Sequence, residues 1–248
     1  CFNFFYFEKK INLDKFSNSK KFLFEKDLNF LFEYFNSDKG EKFTDQYTQP
    51  SKKNFNIIKA HGYSKFYDEI FHNIKNNKIN IIEIGSFYGN AAAALFFYFK
   101  NAKIFGADIN PDMFKYRSER IETLYVDSSS KESIQNKIIN LNVSFNIIIE
   151  DASHMLKDQI ISLFILFPIV QSGGYFIVEE LDFPESRKDM RLNQDFPDLK
   201  TILDNIVNNK DFKSPYIDDK SKNYFLNNFE YIKTYRGNMN EIAIIKKK

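Results

Sequence analysis

The chain has 248 residues, with 35 Lys and Arg against 33 Asp and Glu, so its formal net charge at pH 7 is +2. This length suits one large α/β domain with a substantial core, and the balanced charge argues against a nucleic-acid partner. The single cysteine, Cys1, excludes a disulfide within the chain and favours a reducing, cytoplasmic location.

Two apolar segments are candidates for a leader or a membrane span. The opening at residues 1–7 follows no basic region and is too short for a signal-peptide core with its cleavage site. The richest internal apolar run, at residues 160–170, is too short to cross a bilayer. We therefore expect a soluble protein without a membrane span. A first residue other than Met leaves trimming of the N-terminus open.

Residues 1–77 are predicted to form an N-terminal helical cap or lid. Helix-like stretches at 26–35 and 63–75 flank a polar segment at 36–56, which contains Pro50 and an SDKG turn at residues 37–40. This pattern is typical of an appendage to a larger domain.

Residues 78–248 are predicted to form one α/β domain. Short apolar segments alternate with helical ones, which indicates a parallel, doubly wound sheet. The predicted strands lie near 80–84, 103–107, 122–126, 145–149 and 174–178, and the predicted helices lie near 90–99, 130–140 and 157–167. The remainder reads as a helix at 198–208, a loop at 210–222, and two strands at 229–235 and 241–246. The last two strands predict an antiparallel hairpin that closes the sheet.

A glycine loop follows the first strand of this domain. Glu83, Gly85 and Gly89 form an E-x-G-x-x-x-G pattern that leads into an Ala-rich helix. Glycines at such a turn let the backbone approach a ligand, and the helix N-terminus favours polar or anionic groups. The loop lacks G-x-G-x-x-G, which disfavours a nicotinamide dinucleotide. An ordinary tight turn is the alternative.

Acidic residues close the next two strands. Asp108 ends the second strand, where a carboxylate accepts hydrogen bonds from both hydroxyls of a ribose. Asp127 ends the third strand and is expected to reach the edge of an adenine. Each aspartate taken singly is equally well explained as a helix cap, but the order of three such features at three consecutive strand ends favours a nucleoside site.

A second group of acids follows the next two strands. Asp151 and His154 come after the strand at 145–149, and Glu179 and Glu180 come after the strand at 174–178. The carboxyl ends of neighbouring parallel strands meet at one edge of the sheet, so these side chains are expected to share a pocket. Carboxylates suit a hard divalent cation, and an imidazole suits proton transfer. A helix cap and a solvated strand end remain the alternative.

The glycine loop and the two aspartates, in this order at three consecutive strand ends, resemble the corresponding features of the class I S-adenosylmethionine-dependent methyltransferases. That resemblance implies a Rossmann-like, doubly wound, seven-stranded, mostly parallel sheet that ends in an antiparallel hairpin. It also assigns Glu83, Gly85 and Gly89 to the methionine end of S-adenosyl-L-methionine, and Asp108 to its ribose.

The second acidic group is further similar to that of the metal-dependent sugar O-methyltransferases of the mycinamicin/macrolide type, relatives of the cephalosporin hydroxylase and rhamnosyl O-methyltransferase-like group. The SDKG sequence at 37–40 and the HGY sequence at 61–63 are similar to N-terminal sequences of that family. The resemblance implies that His154 is the general base and that Mg²⁺ or Mn²⁺ is bound by three carboxylates, those of Asp151, Glu179 and Glu180. The family usually has Asp where this chain has Glu180, and Gly where it has Ala152.

The HGY sequence leaves two interpretations open. Either His61 and Tyr63 pack the cap against the sheet, or Tyr63 lies near the methionine end of the cofactor. An iron hydroxylase site is disfavoured because it requires two clustered histidines, and the sequence places only His154 in the acidic group.

The expected function is S-adenosylmethionine- and metal-dependent O-methylation of a hydroxyl of a sugar or glycoside acceptor, in polysaccharide or glycoside biosynthesis. Methylation of a phosphate, phosphoramidate or catechol-like oxygen is an alternative. A non-catalytic methyltransferase-fold module is another. Self-association into a homo-oligomer is left open by the sequence.

Overall fold

The computed structural model describes residues 9–45 and 56–248. The predictions on the apolar opening at residues 1–7, on Cys1 and on Pro50 lie outside these residues. Within them, the helices in chain order are α1 (Leu13–Ser19), α2 (Leu28–Tyr34), α3 (Ser64–Phe71), α4 (Asn90–Tyr98), α5 (Lys131–Lys137), α6 (Leu156–Leu166), α7 (Phe183–Ser186), α8 (Leu199–Val207) and α9 (Asp219–Asn228).

The strands form one large sheet and two small pairs. In chain order they are β1 (Ile11–Asn12), β2 (Lys42–Thr44), β3 (Ile57–Lys59), β4 (Asn80–Ile84), β5 (Lys103–Asp108), β6 (Tyr116–Arg117), β7 (Ile121–Tyr125), β8 (Phe145–Glu150), β9 (Val170–Val178), β10 (Phe229–Arg236) and β11 (Glu241–Lys247). The seven-stranded sheet has the order β10-β11-β9-β8-β4-β5-β7, and the small pairs are β1-β6 and β2-β3.

The large sheet confirms the predicted architecture. The pairs β4-β5, β4-β8, β5-β7 and β8-β9 are parallel, whereas β11 runs antiparallel to both β9 and β10. After β7 the chain crosses to the other half of the sheet and enters β8, so the point where the strand order reverses lies between the adjacent strands β4 and β8. In open α/β sheets, ligands bind outside the carboxyl ends of the strands at such a switch point.

The central strands of the sheet are buried on both faces because they are apolar on both sides. Ile81 and Ile147 face a cluster that contains residues of α1 to α4, whereas Ile82 and Ile148 face a cluster that contains residues of α5, α6, α8 and α9. The N-terminal helices therefore cover one face of the sheet. A cap that ends at residue 77 stays a prediction.

Two local predictions differ from the structure. Residues 210–222 were expected to be a loop, but α9 begins at Asp219. Its sequence is polar and buries only Phe225, so it lacks the apolar periodicity that identifies a helix. The short helix α1 was not predicted, because its single buried residue, Leu13, gives no apolar periodicity either. None of the helices in the described ranges is long and apolar enough to cross a membrane.

Candidate active site

A cavity of about 490 Å³ opens at the carboxyl ends of β4, β5, β8 and β9. Six of the residues predicted from the sequence line it, namely Glu83, Gly85, Asp108, Asp151, His154 and Glu180. Each follows or ends a parallel strand, so the sheet brings together side chains that are far apart in the chain. The structure therefore brings these six residues to one cavity, and their roles stay predictions.

The glycine loop is held against the neighbouring strand end. Gly85 has a φ of +88°, and a Cβ at this position would lie 1.9 Å from the carbonyl oxygen of Asp151. Gly89 caps α4 with a φ of +75°, and a Cβ there would lie 2.5 Å from the ring of Phe114. Both positions therefore require glycine, for backbone conformation and for space.

Asp108 lies where the large cavity meets a second one of about 310 Å³. Its carboxylate accepts backbone N–H groups from Phe87 at 2.8 Å and from Asn110 at 2.7 Å, which fixes its orientation. Asp127 lines only the second cavity, and its Oδ1 accepts the backbone N–H and the hydroxyl of Ser129 at 3.0 and 2.6 Å. The two cavities share Gly85, Asp108 and Ala152 in their linings, and we call the adjoining pair the groove, with Asp108 at its middle.

A buried lysine, unassigned at the sequence level, lies among the acids. Lys39 Nζ is 2.5 Å from Asp151 Oδ2, 2.9 Å from Glu179 Oε2 and 3.3 Å from Glu83 Oε1. Burial opposes its charge, but the nearby carboxylates raise the pKa of Lys39 well above its ordinary value. The only sequence signal for Lys39 was the similarity of the SDKG turn to a family sequence.

Glu179 faces away from the cavity wall. Its Oε1 accepts a hydrogen bond from the hydroxyl of Tyr67, and its Oε2 accepts one from Lys39 at 2.9 Å. The side chain is only 1% exposed, and burial raises the pKa of Glu179 to about 7. Tyr67 is fully buried in the core that α3 forms against the sheet.

Glu180 points into the cavity because its backbone adopts a left-handed conformation, with a φ of +45°. The amide of Gln159 on α6 donates to the carbonyl oxygens of Glu179 and Glu180 at 3.3 and 3.2 Å. These bonds tie the end of β9 to the helix below it. Two consecutive glutamates consequently point in different directions, one to Lys39 and one into the cavity.

Two histidines flank Glu180. His61 Nε2 is 2.9 Å from Glu180 Oε1, and His154 Nδ1 is 3.6 Å from Glu180 Oε2. The expectation that only His154 lies in the acidic group is therefore wrong, because the N-terminal segment carries His61 to the same carboxylate. Burial lowers the pKa of His154, whereas for His61 the hydrogen bond and charge of Glu180 outweigh burial and raise the pKa to about 9.

Tyr63 lies one layer behind the cavity wall. Its ring stacks on that of His61, with centroids 5.2 Å apart and an interplanar angle of 20°. The side chain is fully buried, and its hydroxyl donates to the carbonyl oxygen of Glu241 at 3.4 Å. The structure thus brings Tyr63 against His61 and does not bring it to the cavity surface, where a cofactor contact was predicted.

One group in the described part of the chain has the geometry of a metal site. Ligand atoms of Asp151, His154 and Glu180 all lie within 4.8 Å of one another, and Glu179 is outside this group. Burial and the charge of Glu179 raise the pKa of Asp151 well above its ordinary value. Although burial opposes it, the histidines beside Glu180 lower the pKa of that carboxyl, so the second carboxylate of the group stays ionised. Two carboxylates and an imidazole this close together form a donor set that fits a divalent cation.

Curated sugar O-methyltransferases are similar to part of this chain, although no family model matches it. The chain is 27% identical over 128 residues to the 8-demethyl-8-alpha-L-rhamnosyl tetracenomycin-C 2'-O-methyltransferase of Streptomyces olivaceus, covering 49% of this chain and 33% of that protein. It is also 27% identical over 128 residues to the mycinamicin VI 2''-O-methyltransferase of Micromonospora griseorubida, covering 49% and 32%. The match spans about a third of these relatives.

Solved structures of a methyltransferase from the mycinamycin biosynthetic pathway match 90% of the chain. The MycE methyltransferase in complex with Mg and SAH has a TM-score of 0.63 at 20% identity, covering 90% of this chain and 55% of that one. Its complex with Mg, SAH and mycinamycin VI has a TM-score of 0.64 at 19% identity, covering 90% and 53%. The predicted resemblance to sugar O-methyltransferases is confirmed, and the structural match establishes the methyltransferase fold.

Proposed function

We propose that this chain is an O-methyltransferase that uses S-adenosylmethionine and a divalent cation, Mg²⁺ or Mn²⁺, to methylate a hydroxyl of a sugar or sugar-containing precursor. The observation that carries the proposal is the convergence of Asp151, His154 and Glu180 beside the groove that contains Asp108. The similarity to named sugar O-methyltransferases supports the acceptor class. We place the reaction in polysaccharide or glycoside biosynthesis.

The groove supports the cofactor part of the proposal through the order of its acids. Glu83 lines the larger cavity, Asp108 lines both cavities, and Asp127 lines the smaller one. This order matches the methionine, ribose and adenine parts of S-adenosylmethionine. Gly85 and Gly89 keep the loop packed against Asp151 and Phe114, where a side chain would collide, and we assign this loop to the methionine end. The bound cofactor supplies an electrophilic methyl group on a sulfonium.

We assign the cation to Asp151 and Glu180, whose carboxylates face the cavity. Glu179, predicted as a third ligand, has both oxygens engaged by Lys39 and Tyr67, so we propose that it supports Asp151 from behind. A bound divalent cation lowers the pKa of a hydroxyl that coordinates it.

We assign the general base to His154. Burial lowers the pKa of His154, which keeps the imidazole neutral near pH 7 and able to accept a proton. Its Nδ1 is buried beside Glu180, so Nε2 is the atom that takes the proton from an acceptor hydroxyl in the cavity. The ring of Phe183 packs edge-on against His154 at 5.1 Å and restricts its orientation.

We further propose that residues 1–77 act as a helical cap that completes the site formed by residues 78–248. Lys39 and His61 both come from the N-terminal part, and they contact Asp151 and Glu180 of the sheet. The cap would therefore close the cavity and contribute charged groups to it.

The test is methyl transfer by the purified chain to a panel of glycosides with vicinal hydroxyls, together with calorimetric binding of S-adenosylhomocysteine. We expect Mg²⁺-dependent transfer, loss of turnover in excess EDTA, and cofactor binding that largely survives chelation. Asp151→Asn should behave like the chelated protein, whereas Asp204→Asn, at an exposed position on α8, is the matched control.

Each contrary result points to a defined alternative. Full turnover in EDTA would remove the cation from the reaction. Transfer only to a phosphate or catechol acceptor would overturn the sugar assignment. Cofactor binding without transfer to any acceptor would favour a non-catalytic module.

A further inference from the structure

Lys39 is a buried charge that the assignments above place in the cap without saying what its ammonium does for either ligand. The proposed site has two halves: a cofactor half around Glu83 and the glycine loop, and a cation half around Asp151 and Glu180. Lys39 is 1% exposed, and its ammonium contacts Glu83 of the cofactor half and Asp151 of the cation half. The third partner, Glu179, is 2.9 Å from the same ammonium and is equally buried. A single ammonium therefore bridges two groups of acids that would otherwise repel each other.

The backbone around Lys39 is anchored at several points. Its carbonyl oxygen accepts the N–H groups of Tyr63 and Ser64 at 2.9 and 3.1 Å, which joins the turn to the start of α3. The same helix carries Tyr67, whose hydroxyl donates to Glu179. The backbone of Lys39 is therefore fixed against the start of α3, and the same helix holds Glu179, one of the three acid partners of the ammonium.

We propose that Lys39 is a positioning residue, an internal cation that holds Glu83 of the cofactor half against Asp151 and Glu179 of the cation half. The inference rests on the proposed function, because it states how the two halves of that site are joined. If one ammonium serves both halves, removal of its charge changes the binding of both ligands.

The two changes are expected to have opposite signs. Without Lys39, the potential around Asp151 becomes more negative, and Coulomb attraction for a divalent cation increases. Glu83 at the same time loses the partner that fixes its carboxylate beside the glycine loop, so the cofactor binds less well. If Lys39 only stabilised the fold, its substitution would weaken the binding of both ligands or of neither.

The experiment measures Mg²⁺ affinity and S-adenosylhomocysteine affinity by calorimetry for the wild type, Lys39→Met and Lys247→Met. Lys247 is a matched control because it is also buried, but its ammonium contacts backbone carbonyls far from the cavity. We expect Lys39→Met to bind Mg²⁺ about 10-fold more tightly and S-adenosylhomocysteine about 10-fold more weakly, whereas Lys247→Met changes neither.

Two outcomes overturn the inference, namely unchanged affinities in Lys39→Met and a shift of both affinities in the same direction. If Lys39→Met fails to fold, Lys39→Gln is measured in its place with the same expected signs. Failure of the proposed function is distinguishable, because then the wild type itself would bind neither Mg²⁺ nor S-adenosylhomocysteine.

Discussion

Two buried lysines, one near each end of the sheet, have very different surroundings. At the carboxyl end, the ammonium of Lys39 faces three carboxylates. At the other end, Lys247 Nζ donates to the backbone carbonyls of Phe167, Pro168 and Val170 at 3.3, 2.8 and 2.8 Å. Three carbonyl acceptors just after α6 satisfy the three donors of an ammonium, and they add no formal charge.

The charge of Lys247 has a structural role, whereas the charge of Lys39 belongs to the proposed site. Lys247 binds the carbonyl oxygens after a helix end, and all three of its N–H donors are satisfied. Lys39 lies in a cluster where burial raises the pKa of Glu83, Asp151 and Glu179, so one lysine does not neutralise its neighbours. A fold that only needed stability would have no reason to bury this excess of acid. The excess is compatible with a site that binds further cations.

The largest expected effect at the carboxyl end belongs to His154. His154→Ala removes the proposed base, so turnover should fall by about 10²–10⁴-fold while cofactor and cation binding persist. His72→Ala, at an exposed position, is the control and should keep full turnover. Initial rates measured at saturating cofactor and Mg²⁺ decide this. Near wild-type turnover of His154→Ala, or its rescue by added Mg²⁺, would show that His154 is not the base.

The pH dependence of turnover sharpens the same assignment. Burial lowers the pKa of His154 below its ordinary value of 6.5. Because the neutral imidazole is the active form, turnover should rise as pH increases through this lowered pKa and should be level above about pH 7. Rate profiles of the wild type and His154→Ala test this. A wild-type rate that declines between pH 5 and pH 7 would contradict the role, since protonation would then not be inhibitory.

Asp108 is expected to have an intermediate effect, confined to the cofactor. Asp108→Ala removes a carboxylate at the middle of the groove, which should weaken S-adenosylhomocysteine binding by about 1–3 kcal/mol, or roughly 5- to 150-fold. Calorimetry measures the change, with Asp204→Ala as the exposed control. Unchanged affinity, or tight binding of a nicotinamide nucleotide by the wild type, would reject the ribose assignment.

The opposite end of the sheet should respond only in stability. Lys247→Met leaves three carbonyl oxygens without their ammonium donor, so the free energy of unfolding should fall by about 1–3 kcal/mol. Urea denaturation measures this change, and turnover per folded molecule should equal that of the wild type. If Lys247→Met lost turnover but kept its stability, Lys247 would not be a purely structural charge, and its contrast with Lys39 would be wrong.

Local sequence patterns predicted the sheet and most of its helices because apolar runs and apolar periodicity lie within single short segments. β8 and β4 are short apolar runs followed by an acid or a glycine, and such runs identify buried parallel strands without further information. The polar helix α9 was missed because it packs mainly through Phe225. The small strand pairs were missed because two or three residues carry no recognisable period.

The sequence by itself determined that Asp108, Asp151 and Glu180 stand at strand ends on one edge of the sheet, because parallel strands all terminate at the same edge. Only the tertiary structure decided that Lys39 and His61 join them, since these residues come from a distant N-terminal segment. It also decided that Glu180 faces the cavity while Glu179 faces Lys39. Side-chain direction follows from the left-handed backbone of Glu180 and from contacts across the chain, and no local pattern records either of these.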